Sequence, residues 1–217
     1  MGIAVIGSAN IDLSVVVSKM PEKGETVKCL QSLTSPGGKG ANQAIAAARI
    51  GADVWFVAKI GNDVFGTMVL ESLKESSVHT DDVMVSNEYG TGKAFILVSD
   101  GDNRIVIEGG SNDQLTAVDV ERISEKLLRV SGVLLQNEIP LEAIQKATQL
   151  CKGKIPVFLN PAPAMAYPQK MLEGIDYFIP NESECEFYTG IRPFDQRSCE
   201  KAMTALREMG IRMPIIT

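Results

Sequence analysis

Several polar residues in this sequence have the types and spacing to hold an oxygen-rich ligand: Asn10 with Asp12, Lys39 with Asn42, Glu138, and Asn181 with Glu184. A carboxylate such as Asp12 can accept hydrogen bonds from two adjacent hydroxyls of a polyol, and the amide of Asn10 can both donate and accept beside it. The same Asn10-Ile11-Asp12 also reads as a polar turn between strands. Lys39 is a mobile cationic donor suited to an oxygen-rich ligand, although most lysines are simply solvated. Glu138 falls in a largely apolar run between Val133 and Pro140, where an unpaired carboxylate would be costly. It therefore needs a partner, either a ligand or a structural salt bridge. Asn181 and Glu184 have the Asn-x-x-Glu spacing of a helix start, where amide and acid stabilise the N-terminus whether or not anything binds.

These residues are organised around Ser35-Pro36-Gly37-Gly38-Lys39-Gly40-Ala41-Asn42-Gln43-Ala44, which leads into an alanine-rich helix. Its glycines permit positive φ and close approach, and Asn42 is placed to cap the run Ala44 to Ile50. A phosphate cradle is excluded by spacing, because Lys39 is followed by Gly40 rather than Ser or Thr. A dinucleotide fingerprint fails as well, with Gln43 where the third glycine belongs.

Composition narrows the partners. The chain has 217 residues, 45% hydrophobic and 22% charged, enough for one substantial core. With 27 acidic against 21 basic residues and no Lys/Arg cluster, it lacks the footprint of nucleic-acid binding. No apolar run approaches the ~18 residues of a membrane span, and Met1-Gly2 leads straight into a strand, so the cytoplasm is the expected location. Cys29, Cys151, Cys185 and Cys199 are scattered and read as reduced core thiols, and His79 reads as a solvated loop residue.

The elements follow from hydrophobic patterning. Ile3 to Ile6 is a continuous apolar run, a buried parallel strand that delivers Asn10 and Asp12 past its carboxyl end, where open α/β sheets bind ligands. Strands are expected over 13–17 and 25–33, joined by a hairpin-like turn at Met20 to Gly24, and over 94–99 and 104–108 around Asp100-Gly101-Asp102-Asn103. Elsewhere strands at 54–60, 132–136, 157–159, 177–179 and 214–217 alternate with helices at 42–50, 65–75, 118–129, 141–151 and 199–209. The expectation is one α/β domain: a mainly parallel, doubly wound sheet covered by helices, with a small antiparallel β lid from about 13–33 and 94–108.

In order, Gly7 to Asp12, Gly24-Glu25-Thr26, Pro36 to Ala44, Gln136-x-Glu138, Asn160-Pro161-Ala162-Pro163-Ala164 and Pro180-Asn181-Glu182-x-Glu184 span the whole chain. Together they closely resemble the ribokinase-like carbohydrate-kinase family. Gly-Ala-Asn-Gln-Ala and Asn-Pro-Ala-Pro-Ala resemble its ribokinase branch. The resemblance implies ATP-dependent phosphorylation of D-ribose at its 5-hydroxyl, the alternatives being a related sugar or nucleoside kinase, or a non-catalytic sugar-binding or dimerisation module. It implies a sugar held by Asn10, Asp12, Gly38, Lys39, Gly40, Ala41, Asn42 and Glu138, with Asn181 at the nucleotide and Glu184 ordering Mg2+. It further implies a K+ requirement. The lid's edge strands would otherwise expose unpaired backbone, so a homodimer through a partner lid is expected as well. The family's catalytic aspartate sits in a Gly-Ala-Gly-Asp segment, and these 217 residues contain no Gly-x-Gly-Asp. That segment is expected beyond Thr217, after the strand that Pro214 to Thr217 begins, so no catalytic base is assigned. The expectation is a chain that lacks the C-terminal part of such kinases and, by itself, binds sugar but transfers phosphate poorly.

Overall fold

The computed structural model describes residues 2–217. In chain order the elements are β1 (Ile3–Ile6), β2 (Asn10–Val17), β3 (Cys29–Gly37), α1 (Lys39–Arg49), β4 (Val54–Gly61), α2 (Val64–Glu75), β5 (His79–Ser86), β6 (Gly92–Ser99) and β7 (Asp102–Glu108). A 3-10 turn at Gly110–Gln114 leads to α3 (Ala117–Arg122), α4 (Ser124–Leu127), β8 (Val133–Gln136), α5 (Leu141–Cys151) and β9 (Val157–Asn160). Then come α6 (Gln169–Leu172), β10 (Tyr177–Phe178), α7 (Glu182–Thr189), α8 (Gln196–Glu208) and β11 (Met213–Pro214).

Seven strands form a parallel sheet in the order β11-β10-β9-β8-β1-β4-β5. Both faces are covered, which is why β1 is apolar throughout. Ala4 and Ile6 pack into one core with β8, α5 and α8, while Val5 packs into a second with α1 and α2. The chain builds outward from β1 on one side through β4 and β5, then on the other through β8. The carboxyl end of β1 is therefore the point where strand order reverses, and ligands of open α/β sheets bind at such points.

The second sheet has the order β3-β2-β6-β7. It was expected to be antiparallel and it is mixed. The outer pairs β2–β3 and β6–β7 are antiparallel, but the central pair β2–β6 is parallel, with Asn10 opposite Gly92. Its two halves are separated by residues 38–91, a stretch of α/β chain rather than a hairpin, so nothing forces them to run in opposite directions.

Other boundaries also moved. The strand expected at 25–33 runs instead from Cys29 to Gly37 and carries Pro36 in its last turn toward α1, tolerable because β3 is an edge strand. The helix expected at 118–129 is two short helices separated at Ile123. The strand expected to reach Thr217 is confined to Met213–Pro214. The Ile215 N–H still donates to the Phe178 carbonyl at 2.8 Å and the Thr217 N–H to the Pro180 carbonyl at 3.0 Å. Pro180 has no N–H to return to Ile215, so the parallel ladder stops short of Thr217. His79 opens β5 rather than lying in a loop; its Nε2 is 2.8 Å from Asp53 Oδ1 and its ring stacks on Trp55. Of the four thiols, Cys151 and Cys185 are buried, but Cys29 is exposed on β3, not a core residue. No helix among the described residues is long and apolar enough to cross a membrane.

Candidate functional site

The site begins where the end of β1 meets the start of α1. Gly38 takes φ of 91°, a conformation that L side chains rarely adopt, and starts the helix one residue ahead of Lys39. A Cβ on Gly40 would lie 2.6 Å from the Ser8 nitrogen and 2.7 Å from the Gly7 carbonyl carbon, so the helix rests directly on the backbone of the β1 turn. The Ala41 N–H donates to the Ser8 carbonyl at 2.9 Å. Asn42 is not the cap expected of it. It lies inside the first turn, and its N–H donates to the Gly38 carbonyl.

Glu138 follows β8 and reaches across to this junction. Its Oε2 accepts from the Ser8 hydroxyl at 2.5 Å and from the Lys39 N–H at 2.9 Å, while Lys39 Nζ stands 4.0 Å from Oε1. The partner that an apolar setting demanded is thus a hydroxyl plus the first N–H of a helix, with the lysine ammonium beside them. Ser8, which sequence reasoning quoted only within a motif, is fully buried and also accepts from the Gly40 N–H at 3.3 Å.

Asn10 opens β2 and is 3% exposed. Its Oδ1 accepts from Asn112 Nδ2 at 2.6 Å. Sequence reasoning missed Asn112; the available signal was a Gly109-Gly110-Ser111-Asn112 turn between a lid strand and the capping box at Thr116. Two residues on, the Asp12 carboxylate lies against Gly37, where a Cβ would overlap it. Among the described residues it accepts no hydrogen bond. Burial, and then the neighbouring Glu138 charge, raise its pKa above the ordinary carboxylate value.

These groups enclose a cavity of about 330 Å³. Gly38, Lys39 and Asn42 at the β3–α1 junction line it together with Glu138 after β8, and Asn10, Asp12, Ile96, Ile105 and Ile107 line it from one face of the second sheet, the lid. Gly40 and Ala41 are buried beneath it and Asn181 stands outside its wall. A neighbouring cavity of about 420 Å³ shares Asn10, Ile107, Glu138 and Pro163 and extends to Asp113 and Met165. The segment after β9 forms part of both walls. It is tied down where Asn137 Nδ2 donates to the Pro163 carbonyl, Tyr167 donates to Asn137 Oδ1, and Tyr188 donates to the Met165 carbonyl.

Glu184 lines the margin of the first cavity while closing a capping box with Asn181: the Asn181 N–H donates to Oε2 at 2.9 Å and Asn181 Nδ2 to Oε1 at 3.2 Å. The helix-stabilising role weighed for this pair is therefore present. The Thr217 N–H donates to the carbonyl of Pro180, the residue just before this box. No group of three or more acidic, His or Cys side chains suited to a metal occurs among the described residues. A metal here would be met by the single carboxylate of Glu184, which suits an ion that keeps most of its waters.

The profile of the pfkB family carbohydrate kinases matches residues 2–217. The chain belongs to this family. Among pfkB-family proteins it is 43% identical to the ribokinase of Bacillus subtilis over 183 residues, covering 84% of this chain and 62% of that one. It is 36% identical to the ribokinase of Staphylococcus aureus, covering 99% of this chain and 72% of that one. The chain thus spans less than two thirds of the Bacillus relative's length. The structure of Arabidopsis thaliana ribokinase complexed with ribose and ATP superposes with a TM-score of 0.86 at 31% identity, covering 99% of this chain and 71% of that one. In this pfkB-family chain, the parallel sheet and the lid are thus the shared framework of solved ribokinases.

Proposed function

We propose that this protein acts in ATP-dependent phosphorylation of D-ribose at its 5-hydroxyl. The observation that carries the reading is that Asn10, Asp12, Lys39, Asn42 and Glu138, far apart in sequence, line one cavity roofed by a lid. The ribokinases among its relatives support ribose as the acceptor.

In this reading Asp12 accepts from two adjacent sugar hydroxyls, Asn10 donates beside it, and Lys39 and Asn42 reach further oxygens. Ile96, Ile105 and Ile107 exclude water from the bound sugar. Phosphoryl transfer forms a bond between the sugar oxygen and the γ-phosphorus, breaks the bond to the β,γ-bridging oxygen, and requires a base for the hydroxyl proton. ATP supplies the phosphoryl group and magnesium the countercharge when they are bound. Asn181 would stand at the nucleotide and Glu184 would hold the magnesium's water shell; a K+ requirement rests on the family resemblance alone. Since residues up to Thr217 hold no Gly-x-Gly-Asp, the polypeptide by itself is proposed to bind sugar and turn over slowly.

The second cavity is room for a larger acceptor, which is the one feature favouring a nucleoside. The test is thermal: D-ribose should raise the melting temperature of the chain more than fructose or adenosine does. A larger shift with adenosine would move the assignment to a nucleoside kinase, and no shift with any of them would reject the sugar site. We also propose a homodimer through the lid, whose outer strands carry exposed Leu30, Leu33 and Val106 and unpaired edges. Sedimentation giving a monomer at micromolar concentration would reject it.

A further inference from the structure

We infer that Asn112 is a positioning residue that fixes Asn10 as a hydrogen-bond donor toward the ligand. The inference rests on the reading of the cavity as a sugar site. Asn112 is 1% exposed and spends its whole amide on one turn of chain. Its Oδ1 accepts from the Ala9 N–H at 2.9 Å, and its Nδ2 donates to the Ala9 carbonyl at 3.3 Å and to Asn10 Oδ1 at 2.6 Å. A free asparagine amide can present either its oxygen or its nitrogen to a ligand. Here the oxygen is taken, while Asn10 Nδ2 donates to no described residue and Asn10 lines both cavities. The acceptor at that point must therefore offer a lone pair, as a sugar oxygen does.

The packing prevents Asn10 from turning over. Asn10 sits opposite Gly92 in the parallel β2–β6 register, and a Cβ at Gly92 would overlap both Asn112 Nδ2 and Asn10 Oδ1. The hydrogen bond is thus sealed beneath the backbone of a lid strand, where its loss could not be replaced by water. Asn112 itself belongs to the turn that returns from the lid: the Ser111 N–H donates to the Gly90 carbonyl and the Ser111 hydroxyl to the Lys59 carbonyl. The residue that orients Asn10 is therefore anchored to both ends of the lid, and the lid's position and the polarity of the site are set together.

The test combines D-ribose titration with ¹⁵N spectra of the asparagine side-chain amides. In the unaltered chain, ribose should shift the Asn10 side-chain resonances more than those of Asn112. Asn112→Asp at pH 8 keeps the acceptor for Ala9 but places a second acceptor against Asn10 Oδ1, so Asn10 must reverse. Ribose affinity should fall about tenfold or more, the scale of one misdirected buried hydrogen bond, and the Asn10 resonances should move in the absence of sugar. Asn112→Leu removes the donor without adding charge and should act in the same direction. Unchanged affinity and unchanged Asn10 resonances in folded variants would overturn the inference, as would ribose leaving the Asn10 resonances of the unaltered chain in place while it binds. If the unaltered chain binds no ribose but Asn10 still moves in the variants, the orienting role stands and the sugar-site reading fails.

Discussion

Asp12 bears an electrostatic cost in the ligand-free protein that a bound polyol would relieve. Burial and the nearby Glu138 raise its pKa above 3.8, so the folded chain holds that proton more tightly than the unfolded chain does. The sign follows: this group favours folding below the unfolded value, and the contribution is lost as pH rises through the raised folded value. At neutral pH an ionised Asp12 therefore destabilises the folded chain. Asp12→Asn should therefore raise the melting temperature of the ligand-free chain at pH 7, with the gain shrinking as pH falls toward 3.8. Calorimetric scans across that range check this, and a variant less stable than its parent at pH 7 would contradict it. At this scale the sequence was informative about need but not about partners. The apolar flank of Glu138 announced that a partner must exist, yet Ser8 and the Lys39 N–H come from 130 and 99 residues away.

The junction of β1 and α1 shows the same limit for elements. Glycines at 37, 38 and 40 signalled a close approach, and what approaches Gly40 is the backbone at Gly7 and Ser8. Gly40→Ala should push the helix off the turn and cost about 1–3 kcal/mol, the usual range for overpacking a filled interior. Urea denaturation measures it; an unchanged midpoint would mean the contact yields freely. The parallel strands and most helices were legible because continuous apolar runs alternated with capped amphipathic segments. β5 was not, since an edge strand carrying Thr80, Asp81 and Asp82 lacks the apolar run of its neighbours. Nor was the parallel pairing of β2 with β6, which depends on how the intervening residues fold rather than on any local pattern.

In the whole molecule, the lid is tied to the large sheet at both of its ends. One tie is Asn112. The other is Asp63, which caps α2 through the Gly66 N–H and accepts from both the N–H and the hydroxyl of Thr91 just before β6. Burial would raise the Asp63 pKa, but the bonds from Thr91 and Gly66 outweigh it and leave the carboxyl below its ordinary value. The lid is thus held at the rim of the cavity that it forms with the β3–α1 junction and Glu138, and the central claim is that this cavity takes a sugar. Isothermal titration of D-ribose into the 217-residue chain tests it most directly. The account predicts saturable binding at one site per chain, weakened about 10- to 100-fold by Asp12→Asn, as expected for losing charge-assisted hydrogen bonds. An absence of saturable binding, or binding that Asp12→Asn leaves untouched, would contradict it.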